Sequence, residues 1–304
     1  MPIFKKSPNN EPNGTRRIHM TKTLTRPLLL ALIAILSVNP AQAEEASNII
    51  PDVVYGHKDG MALTYDVIKP NDNANGAGIL FMVSGGWVSR WSPPENTKFF
   101  TGGIQDAGFT VFLVRHGSSP RYKVPDAVSD VQKAVTHIYE NAESYGVDPN
   151  RLGVYGGSAG GHLSLMLGCA TGEVGEEPDA KAKSGEGRVA AVVAYFPPVD
   201  LQPIVNTPGL SESFPALIFP QEKAAYVSPL LHVSSDDPPT LLIHGDKDTL
   251  VPIAQSETMI AALKKANVTS DFITIPGAGH GFRGEDAKTA EGHLIDWFKK
   301  HLTE

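Results

Sequence analysis

The chain holds a single cysteine, Cys169, so no intramolecular disulfide can form and packing must hold the fold together. No run of His, Cys, Asp or Glu has recognisable metal-ligand spacing, and neither a metal nor a cofactor is expected. Long apolar runs are scarce. The longest, residues 28–38, is well short of the roughly 18 residues that span a bilayer. Basic residues are outnumbered, 26 Lys and Arg against 33 Asp and Glu, which argues against nucleic acid or an anionic membrane as partner. No internal repeat is visible.

The apolar run fits a secretory signal over residues 21–43 better than a membrane span. Lys22 and Arg26 supply the basic region, residues 28–38 the apolar core, and Ala41-Gln42-Ala43 a small-x-small cleavage site. The polar stretch before it suggests translation from Met20. A twin-arginine leader at Arg16-Arg17 and a retained signal anchor are the alternatives. Cleavage after Ala43 removes six basic residues and one acidic residue, leaving 20 and 32 and a net charge of −12. The expectation is a periplasmic or secreted protein without stable membrane insertion.

Gly156-Gly157-Ser158-Ala159-Gly160-Gly161-His162 follows a short apolar run, 152–155, and precedes a helix-compatible one, 163–170. Gly-x-Ser-x-Gly between strand and helix is the pattern of a nucleophile elbow, a tight turn that lifts a serine hydroxyl clear of a sheet. A serine needs a base to take its proton and a carboxylate to orient that base. Two later loops supply them, each just past a strand-like run. Residues 240–243 lead into His244-Gly245-Asp246-Lys247-Asp248, and 272–275 lead into Pro276-Gly277-Ala278-Gly279-His280-Gly281-Phe282. The order serine, acid, histidine gives Ser158, Asp248 and His280 as the candidate catalytic residues. Asp246 competes for the acid role, and His162, His232 and His244 are rival histidines. His162 is expected to support the elbow and His244 to brace the acid loop.

These segments, with the opening stretch from Tyr55 to Pro70, resemble the α/β-hydrolase superfamily. Within it they are most similar to the BD-FAE-like esterase/lipase group, which adjoins prolyl-oligopeptidase-type hydrolases. The likeness runs from about Val53 to Leu302. It implies an α/β-hydrolase fold: a mostly parallel central sheet, helices on both faces and a small lid-like insertion. The family's pattern of His-Gly, two residues, then Asp before Val-Pro selects Asp248 over Asp246.

Ester hydrolysis places a negative charge on the former carbonyl oxygen, so an oxyanion hole is needed. The Ala159 amide, following the nucleophile, supplies one donor. The second is expected from the loop after 79–83, Ser84-Gly85-Gly86-Trp87, through the Gly86 or Trp87 amide. The resembled family commonly reads His-Gly-Gly there, and this chain has Val83 and Ser84 in its first two positions.

The coarse pattern is a hairpin, then strands near 79–83, 110–114, 152–155, 189–195, 240–243 and 271–275, alternating with helices near 95–107, 127–145, 158–170, 253–266 and 286–301. That is one catalytic domain over residues 44–304. Residues 171–187 read as a polar surface loop. The insertion, about 199–227, is expected to shape an acyl or alcohol pocket through Leu210, Phe214, Phe219 and Tyr226. The functional expectation is an exported serine hydrolase cleaving small carboxylic esters, carbohydrate-linked acyl or aryl esters among them. A peptidase or amidase with the same triad and a non-catalytic binding protein on this scaffold are the alternatives.

Overall fold

The computed structural model of the chain describes residues 48–170 and 188–304. The expected signal segment, the start at Met20 and the loop 171–187 lie outside the described residues.

Eight strands form one sheet in the order β1-β2-β4-β3-β5-β6-β7-β8. β1 (Ile49–Lys58) and β2 (Met61–Ile68) are the expected hairpin, and β2 also runs antiparallel to β4 (Thr110–Val114). The remaining neighbours are parallel: β3 (Gly78–Met82), β4, β5 (Leu152–Gly157), β6 (Ala191–Tyr195), β7 (Thr240–Gly245) and β8 (Ser270–Ile275). Parallel strands covered on both faces read as short apolar runs, and β4 is buried along its whole length.

Helices cover both faces. α2 (Val124–Asn141), α3 (Ala159–Cys169) and α5 (Ala254–Lys265) contribute Val131, Leu163 and Met259 to one core layer with Leu80 and Val154 of the sheet. α1 (Lys98–Asp106) and α6 (Glu285–Leu302) contribute Ile104, Leu294 and Phe298 to the other layer with Ile79 and Val193. Successive strand residues therefore serve opposite layers, as the period of two requires. Gly153 shows how closely α6 seats: a Cβ there would lie 2.7 Å from the Phe298 ring.

α2 begins three residues earlier than its apolar pattern suggests, because Pro125 suits a first turn and Asp126 accepts the Lys123 N–H at 2.9 Å. It gives way to a 3-10 turn, Ala142–Tyr145, and stops at Gly146, whose φ of 79° suits a residue without a Cβ. Every residue of α3 is buried, which accounts for its lack of a polar stripe.

The segment 199–232 is a chain of short turns, including the single-turn α4 (Leu210–Ser213). Phe219 is buried in the first core layer, and Leu210 and Phe214 pack against it. Among the described residues, no helix is long and apolar enough to cross a membrane.

Candidate active site

Ser158 sits between β5 and α3 with φ 55° and ψ −120°, a backbone conformation that costs about 1–3 kcal/mol for a residue with a side chain. The flanking glycines make that turn sterically feasible. A Cβ on Gly156 would fall 2.6 Å from the Gly160 carbonyl carbon, one on Gly160 would meet the Met82 carbonyl oxygen at 2.8 Å, and one on Gly161 the Tyr195 carbonyl oxygen at 2.9 Å. The Ser158 N–H donates to Tyr195 O at 2.9 Å, tying the elbow to β6.

The three sequence-predicted residues meet at the carboxyl end of the sheet. Ser158 Oγ lies 3.0 Å from His280 Nε2, and His280 Nδ1 lies 2.8 Å from Asp248 Oδ2. Asp248 Oδ1 accepts the Leu250 and Val251 N–H groups, each at 2.9 Å. Burial pushes the Asp248 carboxyl up, but the bonds from Val251, His280 and Leu250 outweigh it and hold the pKa below the ordinary range. The acid is therefore anionic at neutral pH, and its Oδ2 requires a proton on His280 Nδ1, which frees Nε2 to accept from Ser158. Phe196 lies against the His280 ring with centroids 4.7 Å apart, and Phe282 packs edge-on against Phe196 at 5.0 Å.

The rival residues have other work. Asp246 accepts the Gly277 N–H at 2.7 Å and so fastens the acid loop to the histidine loop. His244 is fully buried; its Nε2 donates to Val251 O at 2.9 Å, its Nδ1 pairs with Ser256 Oγ at 2.8 Å, and it flanks Asp248 at 3.3 Å. His232 Nε2 donates to Tyr226 O at 3.1 Å. His162 donates from Nε2 to Val227 O at 2.7 Å and accepts the Trp87 indole N–H on Nδ1 at 3.2 Å. It therefore joins the glycine loop to the segment before β7, in addition to standing in the first turn of α3. Burial lowers its pKa to about 4, so the ring is neutral at pH 7.

Gly85 and Val88 exchange two backbone hydrogen bonds, at 3.1 and 3.0 Å, closing a turn with Gly86 and Trp87 at its centre. Both central residues have positive φ, 58° and 56°, as hairpin turns of the primed kind require. Among the described residues, the Gly86, Trp87 and Ala159 N–H groups donate to no backbone carbonyl outside regular helix or sheet pairing. A Cβ on Gly86 would lie 2.9 Å from the Phe214 ring, so the insertion packs directly on this turn.

A cavity of about 850 Å³ opens at Ser158. It runs beneath the sheet between α1 and α6, with Phe81, Tyr155 and Tyr195 from three adjacent strands along it and Ile104 and Leu294 from the helices. Phe99 and Phe100 extend the lining to the surface, where they are 66% and 53% exposed. Phe100 stacks on Phe81, and Phe81 on Tyr155, at 5.6 and 4.8 Å. None of Leu210, Phe214, Phe219 or Tyr226 lines this cavity. The expectation that they would shape the pocket is corrected for this cavity: Leu210, Phe214 and Phe219 spend their apolar area on the core layer formed by α2, α3 and α5 and, through Phe214, on Gly86. The aromatic lining was missed from sequence. Its signal was there, an aromatic residue near the carboxyl end of each of three strands, but a one-residue register decides which face such a ring serves.

Residues 65–263 match the BD-FAE family. The chain is 30% identical to Esterase LipQ of Mycobacterium tuberculosis over 245 residues, 76% of this chain and 56% of that protein. It is 28% identical to Ethyl acetate hydrolase of Pseudomonas putida, covering 83% of each. The chain thus spans little more than half the length of LipQ. Among solved structures, a truncated carbohydrate esterase from gut microbiota superposes with a TM-score of 0.70 at 28% identity, over 85% of this chain and 97% of that one. A thermophilic esterase of Thermogutta terrifontis gives 0.67 at 25% identity, over 82% and 90%. With a family match over most of its length, superposition on those esterases and a mostly parallel sheet of eight strands, the chain belongs to the BD-FAE family and has the α/β-hydrolase fold.

Proposed function

We propose that the protein is an exported serine carboxylesterase that works through Ser158, His280 and Asp248. The observation that carries this reading is the continuous line from Asp248 Oδ2 through the His280 ring to Ser158 Oγ, with contacts of 2.8 and 3.0 Å at the mouth of the cavity. His280 Nε2 takes the Ser158 proton as Oγ attacks the ester carbonyl. The Ala159 amide and the Gly86 or Trp87 amide receive the oxyanion, and His280 returns the proton to the leaving alcohol. Water, activated by the same imidazole, then releases the acid and regenerates the serine. Asp248 holds the Nδ1–H tautomer throughout.

The substrate is a small carboxylic ester. The names of LipQ, Ethyl acetate hydrolase and the gut carbohydrate esterase support ester rather than amide cleavage. The aromatic cavity suits an acyl or aryl group, and the carbohydrate esterase favours a sugar-linked ester as the finer reading. Export rests on the signal-like segment 21–43.

Hydrolysis of p-nitrophenyl acetate, butyrate and octanoate by residues 44–304 tests the reading, with Ser158→Ala alongside. Turnover that disappears in Ser158→Ala is the expected result. Turnover surviving in that variant would overturn the nucleophile. Fluorophosphonate labelling of Ser158 with no ester turnover would transfer the triad to a peptide or amide substrate.

A further inference from the structure

The glycine loop lacks the family's usual histidine, with Val83 and Ser84 in its place. A different histidine reaches this loop from the end of another strand. His116, just after β4, is 5% exposed and brings Nε2 to 2.8 Å from Ser84 Oγ. Its Nδ1 lies 2.8 Å from Gly117 O. A carbonyl only accepts, so Nδ1 carries the proton and Nε2 accepts from the Ser84 hydroxyl. Burial lowers the His116 pKa and keeps this neutral form in place.

The segment that carries His116 is itself fixed. The Gly117 N–H donates at 2.9 Å to Asp130, a fully buried carboxylate that pairs with Lys58 at 3.0 Å. Arg115 is held by Asp66, Asp52 and Thr64. The same segment grips the turn at further points. The Ser119 N–H donates to Trp87 O at 3.1 Å, and Ser118 Oγ accepts the Ser89 N–H at 2.9 Å. Two consecutive positive-φ residues, one of them a tryptophan, are an unfavourable backbone state that persists only where surroundings impose it.

We infer that His116 is the positioning residue of the oxyanion loop. By anchoring the Ser84 hydroxyl, it fixes the direction of the Gly86 and Trp87 amides and stands in for the histidine absent at position 83. This rests on the reading of Gly86 and Trp87 as oxyanion donors. Ser84 is consequently not a neutral replacement for glycine but the other half of the device.

The test is steady-state kinetics on p-nitrophenyl butyrate for Ser84→Ala, His116→Phe, the double variant and His116→Gln, whose side-chain oxygen can still accept from Ser84. Ser158→Ala is run beside them, and thermal melts confirm that each is folded. Misplaced oxyanion donors are expected to lower kcat about tenfold or more in each single variant. KM should stay within about twofold, since ground-state binding is untouched. The double variant should lose no more than the worse single, because both changes break one contact, and His116→Gln should recover most of kcat. Single variants that melt as the wild type does and keep wild-type kcat would overturn the inference. So would multiplicative losses, or losses that only track a falling folded fraction. Activity that survives Ser158→Ala would instead show that the catalytic reading itself had failed.

Discussion

Replacing Asp248 by asparagine tests the triad through a single atom. Asp248 Oδ1 accepts two backbone N–H groups at 2.9 Å, and Oδ2 faces His280 Nδ1 at 2.8 Å and His244 Nε2 at 3.3 Å. An asparagine can keep both backbone bonds only by turning its NH2 toward His280. The opposite orientation sets NH2 against Leu250 N–H and Val251 N–H and loses two bonds, at about 1–3 kcal/mol each. The first orientation gives up only the longer His244 contact and therefore wins. His280 Nδ1 must then accept, its proton moves to Nε2, and no lone pair remains for the Ser158 hydroxyl. In serine-histidine-aspartate triads this tautomer error costs about 10⁴-fold in kcat, or about 5.5 kcal/mol on the barrier. The assay is p-nitrophenyl butyrate turnover, with fluorophosphonate labelling rates as a second measure. Asp246→Asn is the control. Its role is the Gly277 N–H bond, so it should keep kcat within about threefold, the loss of one loop contact. A folded Asp248→Asn enzyme within tenfold of wild type would refute the tautomer reasoning.

Two further outcomes follow from burial and shape. Ile104→Trp adds bulk against the cavity wall, and each acyl methylene it excludes costs about 0.8 kcal/mol. The ratio of octanoate to acetate hydrolysis should therefore fall, and an unchanged ratio would show that the chain-length-sensing group binds elsewhere. His162 is neutral when folded because burial lowers its pKa to about 4, while the unfolded side chain titrates near 6.5. Its contribution is complete above about pH 6.5 and is lost as pH falls toward about 4, on the order of 3 kcal/mol in all. Urea unfolding at pH 7 and pH 4 should show that loss and a shallower slope for His162→Gln. Equal slopes would mean that His162 does not carry it. His116 and His244, also lowered by burial, act in the same direction in both proteins.

The order of elements was legible because its signals are local. Short apolar runs bounded by glycine and proline mark strands, and the stripe through Val128, Val131, Val135 and Ile138 marks α2. Gly156, Ser158 and Gly160 were legible for a similar reason. The elbow leaves no room for a Cβ at either glycine, so the steric demand appears in the sequence itself. Asp248 and His280 could be named from their position after strands and from the family pattern.

What the tertiary structure alone decided depends on contacts between distant segments. His116 meets Ser84 across 32 residues, and His162 meets Trp87 across 75. Neither pairing leaves a periodic trace, because each exists only once β3, β4 and β5 stand side by side. The side of the molecule that holds the cavity was decided in the same way. The insertion carries several large apolar residues, yet Phe219 is buried in the core and Phe214 rests on Gly86. The sheet instead aligns Phe81, Tyr155 and Tyr195 beside Ser158. Composition reports that apolar area exists, and only the register of neighbouring strands determines which face it serves.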